Sequence, residues 1–193
     1  ADGSTVVFAS SAMNLHPDDT SAMRDIYAWD RETGVIEWVS RPSTGPGTAL
    51  CEAPSVSADG NWIAFQTSGA LLPEDTNNGI DIYVYDRKNQ RLQIASVTQA
   101  GQVTAAQSTS PAISGDGRYV AFTSASIELV EGPQNGVLNI YVRDLDQGTT
   151  ERVSANAAGE PAELPAIRPR ISHDGRYVAF QSPARNLGPT VDA

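Results

Sequence analysis

The sequence is short of the groups that most chemistry needs. Histidine occurs twice, as His16 and His173, and cysteine once, as Cys51. A single cysteine excludes an internal disulfide, and it reads as a small buried hydrophobe more readily than as a reactive thiol. No Gly-x-Ser-x-Gly elbow is present, so the hydrolase nucleophile that this motif would present is missing. Basic residues number 13 against 23 acidic ones, a formal charge of -10, and no Lys/Arg cluster offsets it locally. Such a surface repels phosphate backbones, which excludes nucleic acid as a partner class. No apolar run approaches the roughly 20 residues that a membrane-spanning helix needs. Helical periodicity is absent as well. The chain opens at Ala1-Asp2 with neither methionine nor a signal-like segment, so a lost leader or upstream region is expected.

What the sequence does have is a repeat. Ser57 to Ser68 (SADGNWIAFQTS), Ser114 to Ser124 (SGDGRYVAFTS) and Ser172 to Ser182 (SHDGRYVAFQS) are copies of one stretch, and Asp2 to Ser10 (DGSTVVFAS) is a truncated fourth. The Asp-Gly pairs begin at Asp2, Asp59, Asp116 and Asp174, in steps of 57, 57 and 58 residues. A fixed period of that length means one supersecondary unit stacked on copies of itself.

The punctuation inside each unit predicts four strands. A proline is placed at the first residue of strand one, where it costs no ladder bond: Pro54-Ser-Val-Ser, Pro111-Ala-Ile-Ser and Pro169-Arg-Ile-Ser. An Asp-Gly turn follows, read as a tight hairpin because both residues tolerate positive φ. The return strand is Trp62-Ile-Ala-Phe, Tyr119-Val-Ala-Phe or Tyr177-Val-Ala-Phe, and the third begins at Asp25, Asp81 or Asn139. A fourth strand ends in Val39-Ser40, Ala95-Ser96 or Val153-Ser154, and a Gly/Ala/Ser/Pro-rich connection leads to the next proline.

Strands two and three are apolar on consecutive residues, as in Tyr119-Val120-Ala121-Phe122 and Ile82-Tyr83-Val84-Tyr85. A sandwich strand with one wet face alternates, whereas continuous runs are buried on both faces. Four-stranded sheets packed face to face around an axis supply that burial, which makes the fold an all-β propeller of antiparallel blades with a repeat of about 57 residues. Ala64, Ala121 and Ala179 recur where neighbouring sheets should approach closely. The regular placement of Tyr27, Trp29, Tyr83, Tyr85, Tyr119, Tyr141 and Tyr177 points to packing between blades.

The pattern Pro-x-[Ile/Val]-Ser-x-Asp-Gly-x-[Tyr/Trp]-[Val/Ile]-Ala-Phe resembles the Asp-Gly blade repeat of TolB-like propellers, found also in the propellers of prolyl-oligopeptidase-type enzymes. The resemblance covers essentially the whole chain. It divides the chain into a partial blade 1–46, blades 47–103 and 104–161, and a partial blade 162–193. TolB-like propellers usually have six or more blades, so the expectation is part of a longer propeller, or copies that complete one another. Flanking blades or a homo-oligomer should cover the terminal faces, because large exposed apolar patches seldom persist on monomers.

Function is less legible, since one propeller fold serves many purposes. The expected role is a non-catalytic binding or scaffold module, periplasmic or secreted, that presents its loops to a protein or glycan. The alternative is the accessory propeller of a peptidase-like hydrolase whose catalytic domain lies outside these residues. His173 stands at a variable turn position, and Ser57-Ala-Asp59-Gly60-Asn-Trp62 only loosely resembles a sialidase Asp box, so both read as turn chemistry. Trp38 has no counterpart in the other repeats and is a candidate for surface recognition. The loop Asp75-Thr-Asn77-Asn-Gly79-Ile-Asp81 places oxygens at positions 1, 3 and 7 around a glycine, like a fragment of a calcium loop. Asp75, Asn77 and Asp81 are therefore the candidate ligands for Ca2+. The competing reading is an Asx-type turn that satisfies loop amides without metal.

Overall fold

The computed structural model describes residues 3–43 and 49–188. Asp2 of the first Asp-Gly pair and the Val191-Asp192-Ala193 terminus lie outside the described residues. Among those described there is no helix, and the strands form four antiparallel sheets. The first holds β1 (Thr5–Ser10), β2 (Asp25–Asp30) and β3 (Ile36–Trp38). The second holds β4 (Cys51–Val56), β5 (Trp62–Thr67), β6 (Asp81–Asp86) and β7 (Arg91–Ile94). The third is built the same way from β8 (Ser108–Ile113), β9 (Tyr119–Ser124), β10 (Asn139–Asp144) and β11 (Thr149–Arg152). The fourth is the pair β12 (Ile167–Ile171) and β13 (Val178–Gln181). These are the blades of a β-propeller.

Each Asp-Gly hairpin is held by its own side chains. The Ser57 hydroxyl donates to Asp59 Oδ1 at 2.6 Å and accepts from the Trp62 amide at 3.0 Å, while Asp59 Oδ1 also accepts from the Asn61 amide. Ser114 with Asp116 and Tyr119, and Ser172 with Asp174 and Tyr177, repeat the arrangement. Only the glycine takes positive φ, +79° at Gly117. The turn is therefore not a two-residue hairpin in which both residues are left-handed. Ser57 pairs its amide with the Trp62 carbonyl and its carbonyl with the Gly60 amide, which makes a four-residue loop around a type I turn.

The prolines do not start their strands. Pro54, Pro111 and Pro169 lie inside β4, β8 and β12, each directly after a left-handed residue (Ala53, Ser110, Arg168). The register slips at just these points, between Glu52 and Ser55, Thr109 and Ala112, and Ile167 and Arg170. A bulge accepts a residue with no amide hydrogen to donate, and each of these strands has only one hydrogen-bonded neighbour in its sheet.

The core lies between blades. Ile63, Phe65 and Tyr83 of the second blade pack with Ile26, Ala28 and Val39 of the first. On the other face, Ala64, Ile82, Val84 and Ala95 pack with Val120, Phe122 and Tyr141 of the third. Adjacent residues of β5 and β6 thus belong to different interfaces, which explains why these strands are apolar on consecutive positions. Within each of the first three blades the large face carries a cross-strand pair of stacked rings: Phe8–Tyr27, Phe65–Tyr83 and Phe122–Tyr141. Large side chains of one blade enter the small face of the one before it, and each fully buried ring contributes about 1.5–3 kcal/mol.

The hairpin tips connect in series. The Ala58 amide donates to the Gly115 carbonyl at 2.8 Å, and the Gly115 amide donates to the His173 carbonyl at 2.9 Å. Beneath these bonds, a Cβ added at Gly117 would lie 2.1 Å from Trp62 Cδ1, and one at Gly175 would lie 2.2 Å from Tyr119 Cδ2. The glycine of each tip rests on the residue that starts the preceding blade's return strand, an aromatic ring under Gly117 and Gly175 and Thr5 under Gly60.

The asymmetric packing makes a direct prediction. Ala64 is sealed against the third blade, whereas its repeat equivalent Ala179 is exposed. Ala64→Leu should cost about 1–3 kcal/mol by overpacking, and Ala179→Leu should stay within about 0.5 kcal/mol. Urea unfolding of the two variants checks this, and equal effects would contradict the assignment of the small face.

Candidate functional site

The loop before the third strand brings its candidate ligands together, but as hydrogen-bond partners. Asp75 Oδ2 accepts from the Tyr83 hydroxyl at 2.7 Å, and Asp81 Oδ1 accepts from the Ser96 hydroxyl at 2.6 Å. Asn77 donates through Nδ2 to Asp81 Oδ2 and to the Thr104 carbonyl, both at 2.7 Å, and its Oδ1 accepts from the Gly79 amide. Both carboxylates are buried. Among the described residues, no three His, Cys, Asp or Glu groups are arranged to hold a metal ion.

The other copies show which parts of this arrangement the fold uses. In the first blade the Tyr27 hydroxyl donates to Asp19, and the Ser40 hydroxyl to Asp25 at 2.6 Å. In the third blade, where Pro133 replaces the first acid, the Tyr141 hydroxyl turns to the Ser126 carbonyl instead. There Asn139 accepts from the Ser154 hydroxyl and donates to Asn135, and Asn135 donates to the Ala162 carbonyl as Asn77 does to Thr104. The buried tyrosine and serine hydroxyls therefore need an acceptor, which the third blade supplies without a carboxylate. Burial pushes the Asp81 carboxyl above the ordinary carboxylate value, and the nearby Asp75 charge adds to the shift. Asp25 is raised for the same reasons, with Asp19 as its neighbour.

Trp38 is not a surface residue. Only 7% of it is exposed, and its indole N–H donates to Asp25 Oδ1 at 2.9 Å. It nonetheless forms one wall of a groove of about 930 Å³ across the outer strand β7. Arg41 shares that side, Leu72, Leu92 and Ile94 come from the second blade, and Arg143 reaches in from the third. Beside them the Tyr85 hydroxyl donates to Glu37 Oε1 and Arg87 Nε to Glu37 Oε2, each at 2.8 Å, joining the first blade to the second. Sequence reasoning passed over this triad. Its trace is a charged residue in the middle of the outermost strand at Glu37, which becomes neutral Gln93 in the next copy.

The isolated reactive groups are structural. Cys51 is fully buried, and desolvation pushes its thiol up to about 11. His173 lays its ring where a Gly115 side chain would stand, so this turn position is set by packing.

A raised carboxyl pKa means the native state binds that proton more tightly than the unfolded chain does. Ionised Asp81 then lowers stability as pH rises from the ordinary value near 3.8 through its raised native value. Asp81→Asn, which copies the third blade, should keep the fold within about 1 kcal/mol at neutral pH and flatten that loss. Urea melts from about pH 4 to 7 measure it, and an unchanged slope would contradict the assignment.

No protein-family model and no curated protein matches the chain. Its structure is similar to that of a protein assigned as TolB from Agrobacterium tumefaciens, with 17% identity and a TM-score of 0.59 over 97% of this chain and 53% of that one. TolB from Acinetobacter baumannii is similar at 19% identity and a TM-score of 0.54, over 96% of this chain and 39% of that one. The tricorn protease is similar at 15% identity and a TM-score of 0.52, over 93% of this chain and 14% of that one. The chain thus spans about half or less of the length of the two TolB structures. Its blades carry the TolB-like β-propeller fold.

Proposed function

We propose that the chain is a non-catalytic binding module whose outer groove takes a segment of another protein. The observation that carries this reading is the division of labour among polar groups. The loop acids are committed to tyrosine and serine hydroxyls, while the 930 Å³ groove across β7 keeps apolar walls and charged rims facing outward. A groove that mixes apolar patches (Leu72, Leu92, Ile94) with charged side chains, and in which no nucleophile among the described residues is paired with a base, suits recognition more than bond making. An extracytoplasmic location belongs to this reading through the TolB-like fold. No helix among the described residues is long and apolar enough to cross a membrane.

Tyr177 supports a further element of the proposal. It occupies the position on which a following glycine rests in the other blades, and it is 67% exposed. A further blade or a second copy is the cover that this face fits. The similarity to the tricorn protease favours a second reading, in which these blades serve a hydrolase as an accessory propeller. For the loop of Asp75, Asn77 and Asp81, calcium is the cation proposed if metal ligation displaces the internal bonds, since it tolerates irregular oxygen shells. Adding calcium or chelator to the Asp81 melts separates that proposal from the hydrogen-bonded turn.

Selection from a phage-displayed peptide library tests the module. Peptides bound by the native chain should be lost with Leu92→Asp in the groove and kept with Ile127→Asp on an exposed loop of the third blade. A loss of about tenfold or more is expected when a charge enters an apolar contact. Binders indifferent to Leu92→Asp, or peptide hydrolysis by the chain alone, would overturn the reading.

A further inference from the structure

The interfaces between blades repeat one contact with different residues. At the first, Tyr85 of β6 meets Glu37 of β3, and Arg87 completes the charge balance. The strand registers place Gln93 where Glu37 stands, since each lies opposite the residue that follows the buried tyrosine of its blade. The same alignment places Arg143 where Tyr85 stands and Leu145 where Arg87 stands. At the second interface, then, the acid has become an amide and the phenol has become a guanidinium. The cation has moved from the Arg87 position to the Tyr85 position, and its counter-charge has been removed.

Arg143 is 9% exposed. Its hydrogen-bond partner is the Thr150 hydroxyl at 3.1 Å, directly across the ladder on β11. The neighbouring Asp144 is taken by Arg118, which forks onto it with contacts of 2.6 and 3.1 Å. None of the ion pairs among the described residues includes Arg143. Burial accordingly holds its pKa below the ordinary arginine value. A guanidinium presents five donors in a planar fork that matches a carboxylate, and burying one without an anion is costly.

This residue lines the groove across β7. Along β7, Leu92 and Ile94 pack toward the first blade, and Gln93 alternates with them. Within its sheet β7 pairs only with β6, so its outer edge is open to a further strand. An extended segment laid there alternates its side chains between the apolar wall and the Arg143 side. A net charge of -10 rules out general attraction for acids, so any preference must come from short-range pairing, which salt screens little when buried. Main-chain pairing with a strand edge and an apolar wall suits a peptide better than a sugar chain.

We propose that the groove binds an extended acidic peptide segment, with one carboxylate forked onto Arg143 and flanking apolar side chains against Leu72, Leu92 and Ile94. The proposal rests on the groove being the binding surface and adds the chemistry of its partner.

Fluorescence polarisation tests it with a labelled heptapeptide alternating leucine with glutamate, its glutamine counterpart and a labelled oligogalacturonate. The glutamate peptide should bind the native chain about 10- to 100-fold tighter than the glutamine peptide, as charge-assisted bonds allow. Arg143→Gln should erase that preference. Gln93→Glu restores an internal acid like Glu37, so it should erase the preference too and raise the thermal midpoint, which keeps the test valid if Arg143→Gln fails to fold. Equal binding of the two peptides, a preference that survives either substitution, or a lowered midpoint in Gln93→Glu would overturn the proposal. So would Arg143-dependent binding of the oligogalacturonate in place of the peptide. If library peptides remain sensitive to Leu92→Asp while the acidic preference is absent, the groove stands and only the acidic partner falls.

Discussion

The steps from the second blade to the third and from the third to the fourth pass through the same small contact, a glycine pressed against the ring that opens the preceding blade's return strand. At the first step Gly60 meets the Thr5 side chain at that position instead. Gly117 sits on Trp62 and Gly175 on Tyr119, too close for any side chain, and amides at the tip donate across to the next blade's carbonyls. The contact demands two properties at once. The backbone must take positive φ, and nothing may project toward the ring. The Ser-Asp cassette holds the turn in the one conformation where the glycine meets both demands. Once the tips are fixed, the strands behind them are in register to pack Phe65 and Tyr83 against one neighbour and Ala64 and Val84 against the other.

Packing of this kind places aromatic side chains in the interior with polar ends that must be satisfied. Tyr83 and Tyr27 reach carboxylates in the loops ahead of their strands, and Tyr141 reaches a carbonyl. A residue pattern that resembles cation ligation thus serves, in the fold, to terminate buried hydroxyls. The outer strands face weaker constraints, because they carry no glycine contact and lie at the rim. There the copies diverge, and Glu37, Gln93 and Glu151 occupy one position while Tyr85 and Arg143 occupy another. The rim thus varies from copy to copy while the stacked aromatic pairs of the interior recur.

The sequence makes the scaffold legible because its constraints recur at a fixed spacing. The hairpins, the two-sided burial of the middle strands and the small face at Ala64 and Ala121 all follow from residues that repeat. What stays hidden depends on contacts between repeats or on backbone detail. Pro54 reads as a strand start because proline is tolerated there, and nothing local reveals the left-handed Ala53 that turns it into a bulge. Trp38 reads as exposed because it has no counterpart, yet its indole finds Asp25 in the interior. That Asp75 and Asp81 accept from Tyr83 and Ser96 is likewise visible only once the strands pair. The unpaired state of Arg143 emerges only when the register aligns Gln93 with Glu37.

The most direct test of the glycine-on-ring contact is a double-mutant cycle between Gly117→Ala and Trp62→Ala, measured by urea unfolding. In the native background Gly117→Ala should be costly, because it meets both positive φ and the indole. With the ring removed, the remaining cost should fall to about 1 kcal/mol, the conformational part alone. The coupling between the sites should therefore lie within about 0.5–3 kcal/mol. The same cost for Gly117→Ala in both backgrounds would contradict the contact as the basis of blade stacking.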